Sequence, residues 1–139
     1  MGAMPPFELG LYTFGDITPD PEGGTITPAE RLRDVIEEAR LADEVGLDVF
    51  AVGEHHRADF PISVPSVVLA AIAERTTRLR LSTSVTLATH LDPVRMAEDY
   101  ATVDNLSGGR VELIMGRGGF TLAFEVFGQS FEESRPVYD

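Results

Sequence analysis

The sequence predicts an α/β fold with parallel strands: about the first four βα units of a TIM-type (β/α)8 barrel. Apolar segments typical of strands begin at residues 7, 48, 79 and 110, and the last three starts are 31 residues apart. A helical pattern lies between successive strands, which is the order of a βα repeat. Because eight such units take about 250 residues, a chain of 139 residues corresponds to the N-terminal half of one barrel domain.

An open, doubly wound sheet is the competing architecture for alternating strands and helices. That fold carries a glycine-rich dinucleotide turn after its first strand, whereas Phe14, Gly15 and Asp16 occupy that position here. The barrel is therefore favoured over the open sheet. Residues 1–4 are set aside as a cloning remnant or a disordered start, with Met4 as the natural first residue, and the whole chain is treated as one domain.

The first βα unit has the clearest predicted boundaries. Residues 7–14 are predicted to form a strand, and the stretch that follows is rich in Pro, Gly and Asp, as loops are. Thr27 and Glu30 have the spacing of a capping box, and Pro28 occupies the first helical position, so a helix is predicted to begin there. Gly46 supplies the left-handed residue that ends this helix.

The remaining units follow the same pattern. The second strand is apolar throughout, as expected for a parallel strand that is covered on both faces. Prolines begin the second and third helices, and a Gly-Gly pair ends the third. The predicted strands span residues 48–53, 79–87 and 110–115, the predicted helices span residues 65–75 and 93–107, a glycine-rich loop spans residues 116–119, and Ser130 or Ser134 begins a fourth helix.

The composition excludes several classes of partner. A net charge of -12 repels the phosphates of nucleic acids and of anionic membranes, and no apolar stretch is long enough to span a bilayer. The absence of Cys excludes disulfides and thiolate metal sites. The N-terminus also lacks the pattern of a secretory signal, so we expect a cytoplasmic protein.

Ionisable residues concentrate at the end of the second strand, where the apolar run stops at Glu54, His55 and His56. Catalytic side chains of barrels lie at the carboxyl ends of strands, and a histidine exchanges protons near neutral pH. Strand alternation puts Glu54 and His56 on one side and His55 on the other. Glu and His are also zinc ligands, but no further ligand cluster accompanies them, so we expect no metal. A strand end that simply meets water is the plain alternative.

Four motifs follow one another along the chain. They are Glu-His-His at residues 54–56, Asp-Pro-Val-Arg-x-Ala-Glu-Asp at 92–99, Ser-Gly-Gly-Arg at 107–110 and Gly-Arg-Gly at 116–118. In this order and spacing they resemble the bacterial-luciferase-like flavin monooxygenase family. Val-Phe-Gly at 126–128 and Ser-Arg at 134–135 extend the resemblance almost to the end of the chain. The chain corresponds to the N-terminal half, or less, of a family member.

The resemblance implies roles for individual residues. His55 matches the family's active-site histidine near the reactive C4a–N5 edge of the flavin, and it is the expected catalytic residue. Ser84-Val85 matches a non-proline cis peptide under the isoalloxazine ring, and Arg117 matches an arginine that approaches the flavin phosphate or another anion. The expected cofactor-binding residues are Glu54, Ser84, Val85, Gly116, Arg117 and Phe120, and the expected substrate-lining residues are Tyr12, Phe14 and His56.

One position departs from the family pattern, and several have structural alternatives. Gly116 stands where the bacterial luciferases carry a reactive Cys, which argues against true luciferase character. Arg117 could instead cap a helix or pair with Glu125, while Tyr12 and Phe14 could be core residues. We expect Arg110 to pin a turn.

The resemblance implies a two-component monooxygenase. A partner flavin reductase supplies reduced FMN, O2 adds at C4a to give a hydroperoxyflavin, and a small organic substrate is oxygenated, with His55 as acid or base. The alternatives are a hydride-transfer enzyme that uses the deazaflavin coenzyme F420 and a non-catalytic half-barrel module. Open strand edges leave backbone groups unpaired, so we expect homo-oligomers. Barrel phosphate sites form after the seventh and eighth strands, so we expect the chain by itself to bind FMN weakly and to be inactive.

Overall fold

The structure is a computed structural model that describes residues 7–135, and its strands are parallel, as the sequence predicts. The set-aside residues 1–4 lie outside the described residues. One four-stranded sheet has the order β1-β2-β3-β5, and a two-stranded sheet pairs β4 with β6. The strands are β1 (Gly10–Thr13), β2 (Val49–Val52), β3 (Arg80–Thr83), β4 (Thr86–Leu87), β5 (Val111–Glu112) and β6 (Met115–Gly116).

The helices lie between these strands in the predicted βα order. They are α1 (Pro28–Val45), α2 (Pro65–Ala73), α3 (Pro93–Ser107) and α4 (Thr121–Val126), with a short 3-10 turn at Ala88–His90. The predicted capping box of α1 is confirmed, because the Thr27 hydroxyl accepts from the Glu30 N–H at 3.2 Å and the Glu30 carboxylate accepts from the Thr27 N–H at 2.8 Å. Within residues 7–135, no helix combines the length and the apolar character that crossing a membrane requires.

The hydrophobic core lies between the helices and one face of the four-stranded sheet. From the helices it includes Val35 and Leu69, and from the strands it includes Phe50, Val52 and Leu81, all at most 2% exposed. Phe50 and Val52 alternate along β2, so they share the face that the helices cover. The polar residues at the strand ends therefore lie outside the core between the helices and the sheet.

Two predicted strands are each divided into two short pieces in the structure. The prediction of one strand over residues 79–87 is wrong at its middle, where a cis peptide joins Ser84 to Val85 between β3 and β4. The predicted strand over 110–115 is divided between β5 and β6. Here the Thr83 side chain replaces a backbone partner, since its hydroxyl accepts from the Ile114 N–H at 2.9 Å and donates to the Ile114 carbonyl at 2.7 Å.

The segment after the glycine-rich loop also differs from the prediction. Helix α4 begins at Thr121, ahead of the helix start predicted at Ser130 or Ser134. The Ser130 hydroxyl does accept from the Glu133 N–H at 3.3 Å, which is the contact of an N-cap. The rest of the predicted fourth helix lies outside the described residues.

A buried carboxylate ties α1 to the turn that leads into β3. Asp43 accepts hydrogen bonds from the backbone N–H groups of Thr77, Arg78 and Leu79 at 2.8, 3.1 and 2.8 Å. Burial alone raises the pKa of Asp43, but these bonds favour the charged form and outweigh burial, so its pKa lies below the ordinary value of 3.8. The charged carboxylate thus accepts the hydrogen bonds that these three backbone N–H groups would make to a neighbouring strand.

Replacing Asp43 by Asn is expected to remove an acid-dependent part of the stability. Because the pKa of Asp43 is lowered by folding, its contribution is complete above about pH 4 and is lost as the pH falls through the folded-state pKa. Urea unfolding from pH 2.5 to 7 measures this as the difference between the wild type and Asp43→Asn, which should shrink at the acid end. A difference that does not vary with pH would contradict the charged-acceptor role.

Arg110 joins the carboxyl end of α2 to the start of β5, as the sequence predicts for a residue that pins a turn. Its guanidinium donates to the carbonyls of Ala73, Thr76 and Leu79 at 3.0, 3.1 and 2.8 Å. It also donates to the carbonyl of Ser107 at 2.7 Å. One side chain thereby satisfies carbonyl groups that the helix end leaves without an intrahelical partner.

Candidate active site

A cavity of about 390 Å³ opens where the strands end. Each strand region contributes to its wall the residues that come directly after it, which is the arrangement expected at the carboxyl face of a barrel. The wall is predominantly aromatic and aliphatic. It is formed by Phe14, Glu54, His55, His56, Arg57, Phe60, Ser84, Val85, Leu87, Gly118, Gly119, Phe120, Leu122 and Ala123.

His55 occupies an aromatic part of this cavity. Its ring centroid lies 4.8 Å from that of Phe14, 4.5 Å from that of Phe60 and 5.7 Å from that of Phe120. Burial lowers the pKa of His55 below the ordinary 6.5, and the positive charge of Arg57 lowers it further. This shift favours the neutral imidazole at pH 7, whose lone pair can accept a proton.

Glu54 and His56 lie together, apart from the aromatic rings that contact His55. Nε2 of His56 is 2.8 Å from Oε1 of Glu54, and Oε2 of Glu54 accepts from the Leu87 N–H at 2.9 Å. Both oxygens of the predicted cofactor-binding Glu54 are thus engaged within the protein. Among residues 7–135, no three His, Cys, Asp or Glu side chains are grouped so that they could hold a metal ion.

The backbone at Ser84 and Val85 forms one wall of the cavity, and the cis peptide that the resemblance implies is present between them. Gly53 allows β1, β2 and this wall to approach closely. A Cβ at Gly53 would lie 2.4 Å from Cδ1 of Phe14 and 2.8 Å from the Ser84 carbonyl oxygen. A side chain at position 53 is therefore incompatible with this wall.

Gly116 is also closely packed, here against Val85, although it is not among the residues that line the cavity. A Cβ at Gly116 would lie 2.5 Å from Cγ2 and 3.3 Å from Cβ of Val85. The branched Val85 side chain thus occupies the space that a side chain at position 116 would need. With Val85 in this position there is no room for the Cys that the luciferase pattern would place at position 116.

Replacing Gly116 by Ala is expected to lower the free energy of unfolding by about 1–3 kcal/mol, the usual cost of overpacking. Combining it with Val85→Ala should recover part of that loss beyond additivity, because the second change removes the clashing methyl groups. Gly119→Ala is the matched control, since no atom lies within 4 Å of a Cβ at that position. Urea denaturation of the wild type, the two single variants, the double variant and the Gly119→Ala control tests the contact; strict additivity would contradict it.

Two other predicted residues lie away from the cavity wall. Arg117 donates to the Ser134 hydroxyl at 2.8 Å and its guanidinium carbon lies 4.8 Å from the ring centroid of Phe131. Tyr12 is 64% exposed and makes an edge contact with Phe14, its centroid 5.5 Å away. The predicted lining residues Phe14 and His56, and the predicted Phe120, do line the cavity.

Some lining residues were not predicted as site residues. Gly118 and Gly119 belong to the predicted glycine-rich loop, which was a sufficient signal for placing them near a strand end. Phe60 lies outside any periodic pattern, and its position depends on a short bridge between Arg57 and Phe60. Leu122 and Ala123 come from α4, which begins ahead of the helix start predicted at Ser130 or Ser134.

The profile of the luciferase-like monooxygenase family matches residues 7–138. The chain belongs to the luciferase-like monooxygenase family. The resemblance found in the motifs is thereby confirmed. The match starts near the first predicted strand and includes the Glu-His-His strand end, the Ser84–Val85 bond and the glycine-rich loop.

Solved structures and curated relatives agree with membership of the luciferase-like monooxygenase family. Monooxygenase RslO1 from Streptomyces bottropensis is similar over 96% of the chain, with a TM-score of 0.84 and 30% identity. The oxygenating constituent of 3,6-diketocamphane monooxygenase from Pseudomonas putida, solved with FMN, is similar in fold over 95% of the chain, with a TM-score of 0.83 and 23% identity. The oxygenase component of the flavin-dependent trigonelline monooxygenase of Acinetobacter baylyi is 31% identical over 66% of the chain.

The chain spans a minor part of each of these luciferase-like proteins. It covers 40% of RslO1, 35% of the Pseudomonas protein and 26% of the Acinetobacter protein. The sheet of parallel strands and its flanking helices therefore correspond to part of a (β/α)8 barrel, as predicted.

The described part of the cavity fits the ring system of a flavin better than its phosphate. Aromatic and aliphatic side chains predominate in its wall, next to Ser84, Val85, Gly118 and Gly119. Among the described lining residues Arg57 carries the permanent positive charge, and its guanidinium is already paired with Asp59 at 2.8 Å. Arg117, the expected phosphate ligand, is engaged with Ser134.

Proposed function

We propose that the chain is the flavin-binding and catalytic portion of a monooxygenase that uses reduced FMN and O2 to oxygenate a small organic substrate. The observation that carries this proposal is the position of His55 in an apolar cavity at the strand ends, beside Ser84 and Val85; burial, which lowers its pKa, favours the neutral imidazole. Membership of the luciferase-like monooxygenase family and the flavin-dependent Acinetobacter relative support it.

The chain's own residues would orient the reactants and manage protons. Reduced FMN, when bound, supplies the two electrons by which O2 is split between product and water. Phe14, Phe60 and Phe120 contact His55 and would limit the access of water to it once the cavity is filled. In that setting the lone pair of the neutral His55 imidazole can accept a proton and later return it. The surrounding rings hold the imidazole in place.

The wall of the cavity indicates the class of substrate. Most of the side chains near His55 are aromatic or aliphatic, and Arg57 at the edge is neutralised by Asp59. Burying a charged substrate there would cost more than burying a neutral one, because Glu54 and Arg57, the charged side chains of the wall, already pair with His56 and Asp59. We therefore propose an uncharged, largely apolar organic substrate, and a separate flavin reductase as the source of reduced FMN.

The function is tested with the full-length protein, chemically reduced FMN and ¹⁸O2. A panel of small apolar ketones, aldehydes and thioethers is offered, and mass spectrometry follows the product. One ¹⁸O atom in the product and one in water is the expected result, and it requires both flavin and protein. Oxygen consumption that yields only hydrogen peroxide for every substrate would contradict the proposal. For the 139-residue chain by itself, weak FMN binding stays a prediction that fluorescence titration checks.

A further inference from the structure

Two cavities share a wall formed by Glu54 and His56. The inner cavity is the one that contains His55, and an outer cavity of about 310 Å³ lies on the other side of the pair. The outer cavity is bordered by the start of α2, by Leu91 and Phe127, and by Asp99 and Tyr100 of α3. Glu54 and His56 therefore lie between the inner cavity, which contains His55, and the outer cavity, which opens elsewhere on the surface.

The geometry of the pair holds the carboxylate in a fixed position. The Glu54 side chain is 1% exposed, and the Leu87 N–H and His56 Nε2 contact its two oxygens. With an ionised carboxylate, Nε2 of His56 is the donor. A buried carboxylate that holds a histidine in one tautomer is the arrangement by which enzymes prepare an imidazole to exchange protons.

The outer cavity offers a way to the solvent. Asp99 is exposed and borders it, and the hydroxyl groups of Ser63 and Ser66 lie in its wall region. The Tyr100 hydroxyl bonds to Thr86, and burial raises the pKa of Tyr100 to about 12, so this phenol keeps its proton. The other titratable groups near the pair are His90, whose ring centroid is 6.4 Å from that of His56, and the neighbours His55 and Arg57.

We propose that Glu54 and His56 form a proton relay that connects the inner cavity, through the outer cavity and Asp99, with solvent. This inference rests on the proposed function, because a relay is needed when flavin and substrate fill the inner cavity and exclude water. When Nδ1 of His56 accepts a proton from the inner cavity, the Nε2 proton passes to Glu54, and Glu54 releases it to the outer cavity. The reverse transfer or a ring rotation restores the starting tautomer.

The relay would act on protons that one stage of the proposed reaction releases and another stage needs. The net change is substrate plus O2 plus FMNH2 to oxygenated substrate plus water plus FMN. The hydrogens of the reduced flavin end on the water oxygen, and those that travel as protons must move within an apolar space. His55 can hold one proton, and the Glu54–His56 pair lets that proton be exchanged with solvent without opening the cavity.

The tautomer of His56 is tested first, by ¹⁵N NMR of histidine-labelled protein without flavin. In the wild type the ring proton is expected on Nε2. In Glu54→Gln the amide oxygen can still accept from the Leu87 N–H, which turns the amide NH2 towards His56, so the ring proton should shift to Nδ1. A wild-type proton on Nδ1, or no shift in Glu54→Gln, overturns the relay.

The relay itself is tested in the full-length protein by single-turnover oxygenation with reduced FMN. Glu54→Gln and His56→Gln should slow oxygenation by roughly 100-fold while the affinity for FMN changes little. In the truncated variants Glu54→Ala and His56→Ala, which leave space for a small molecule, added formate or imidazole, respectively, should restore the rate. Asp99→Asn should slow it less than Glu54→Gln does, whereas the adjacent control Glu98→Gln, whose carboxylate pairs with exposed Arg95, should not.

The outcomes separate the relay from a structural role and from the proposed function. Wild-type rates in Glu54→Gln, losses that small acids and bases do not restore, or equal rates for Asp99→Asn and Glu98→Gln each overturn the relay. A wild-type protein that consumes no O2 with reduced FMN overturns the proposed function and the relay with it. Rescue together with the tautomer shift supports the relay.

Discussion

Replacing His55 by Ala is expected to slow oxygenation by about 100-fold to 10,000-fold, the usual contribution of a general acid or base. The affinity for flavin should change little, because the aromatic and backbone walls that fit the flavin ring remain. Since burial lowers the pKa of His55, the wild-type rate should fall with acid only below the ordinary value of 6.5. Stopped-flow single turnovers of the full-length protein across pH 5–9 measure both effects.

Imidazole rescue distinguishes a catalytic His55 from a structural one. Truncation to Ala leaves a space beside Phe14 and Phe60 into which added imidazole can fit, so the rate should recover with its concentration. His55→Gln keeps much of the volume but cannot exchange protons at neutral pH, and should stay slow. If flavin affinity and rate fall together in both variants, His55 is a packing residue instead.

Replacing Arg110 by Ala is expected to cost about 3 kcal/mol or more of folding free energy, the second large effect. The variant removes hydrogen bonds from a charged donor, each worth about 1.5–3 kcal/mol, and leaves carbonyl groups at the end of α2 without a partner. Denaturant unfolding monitored by circular dichroism measures this loss. Arg110→Lys should be intermediate, because an ammonium cannot reach all of these carbonyls at once.

Arg95 provides the control for Arg110. Its guanidinium is exposed and pairs with Glu98 at 3.4 Å, and such surface pairs contribute roughly 0–1 kcal/mol. Arg95→Ala should therefore leave the unfolding midpoint almost unchanged. Equal losses in Arg95→Ala and Arg110→Ala would show that charge, rather than the carbonyl contacts, is responsible.

Local signals in the sequence were enough to predict most of the fold. Thr27, Pro28 and Glu30 identify the start of α1, because capping contacts involve residues three apart and need no tertiary information. The alternation of side chains along a strand likewise separates His55 from Glu54 and His56. The interval of 31 residues between strand starts was enough to indicate the repeating unit.

Features that depend on distant contacts could not be predicted in the same way. The break between β5 and β6 follows from the Thr83 hydroxyl, which lies 31 residues from its partner Ile114. The position of Arg117 depends on its contact with Ser134, which lies 17 residues away and which no local pattern indicates. The space near Gly116 is occupied by Val85, and only the packed structure reveals that conflict.

The core and the cavity are formed by different parts of the same βα units. Phe50 and Val52 face the helices, whereas His55 and the rings around it lie beyond the strand ends. Substitutions at Phe60, Phe120 or Leu122 can therefore alter which molecules fit beside His55 without disturbing the packing that keeps the chain folded. A lineage carrying this half-barrel can diversify its substrates by point mutation, and laboratory evolution can begin from the same few positions.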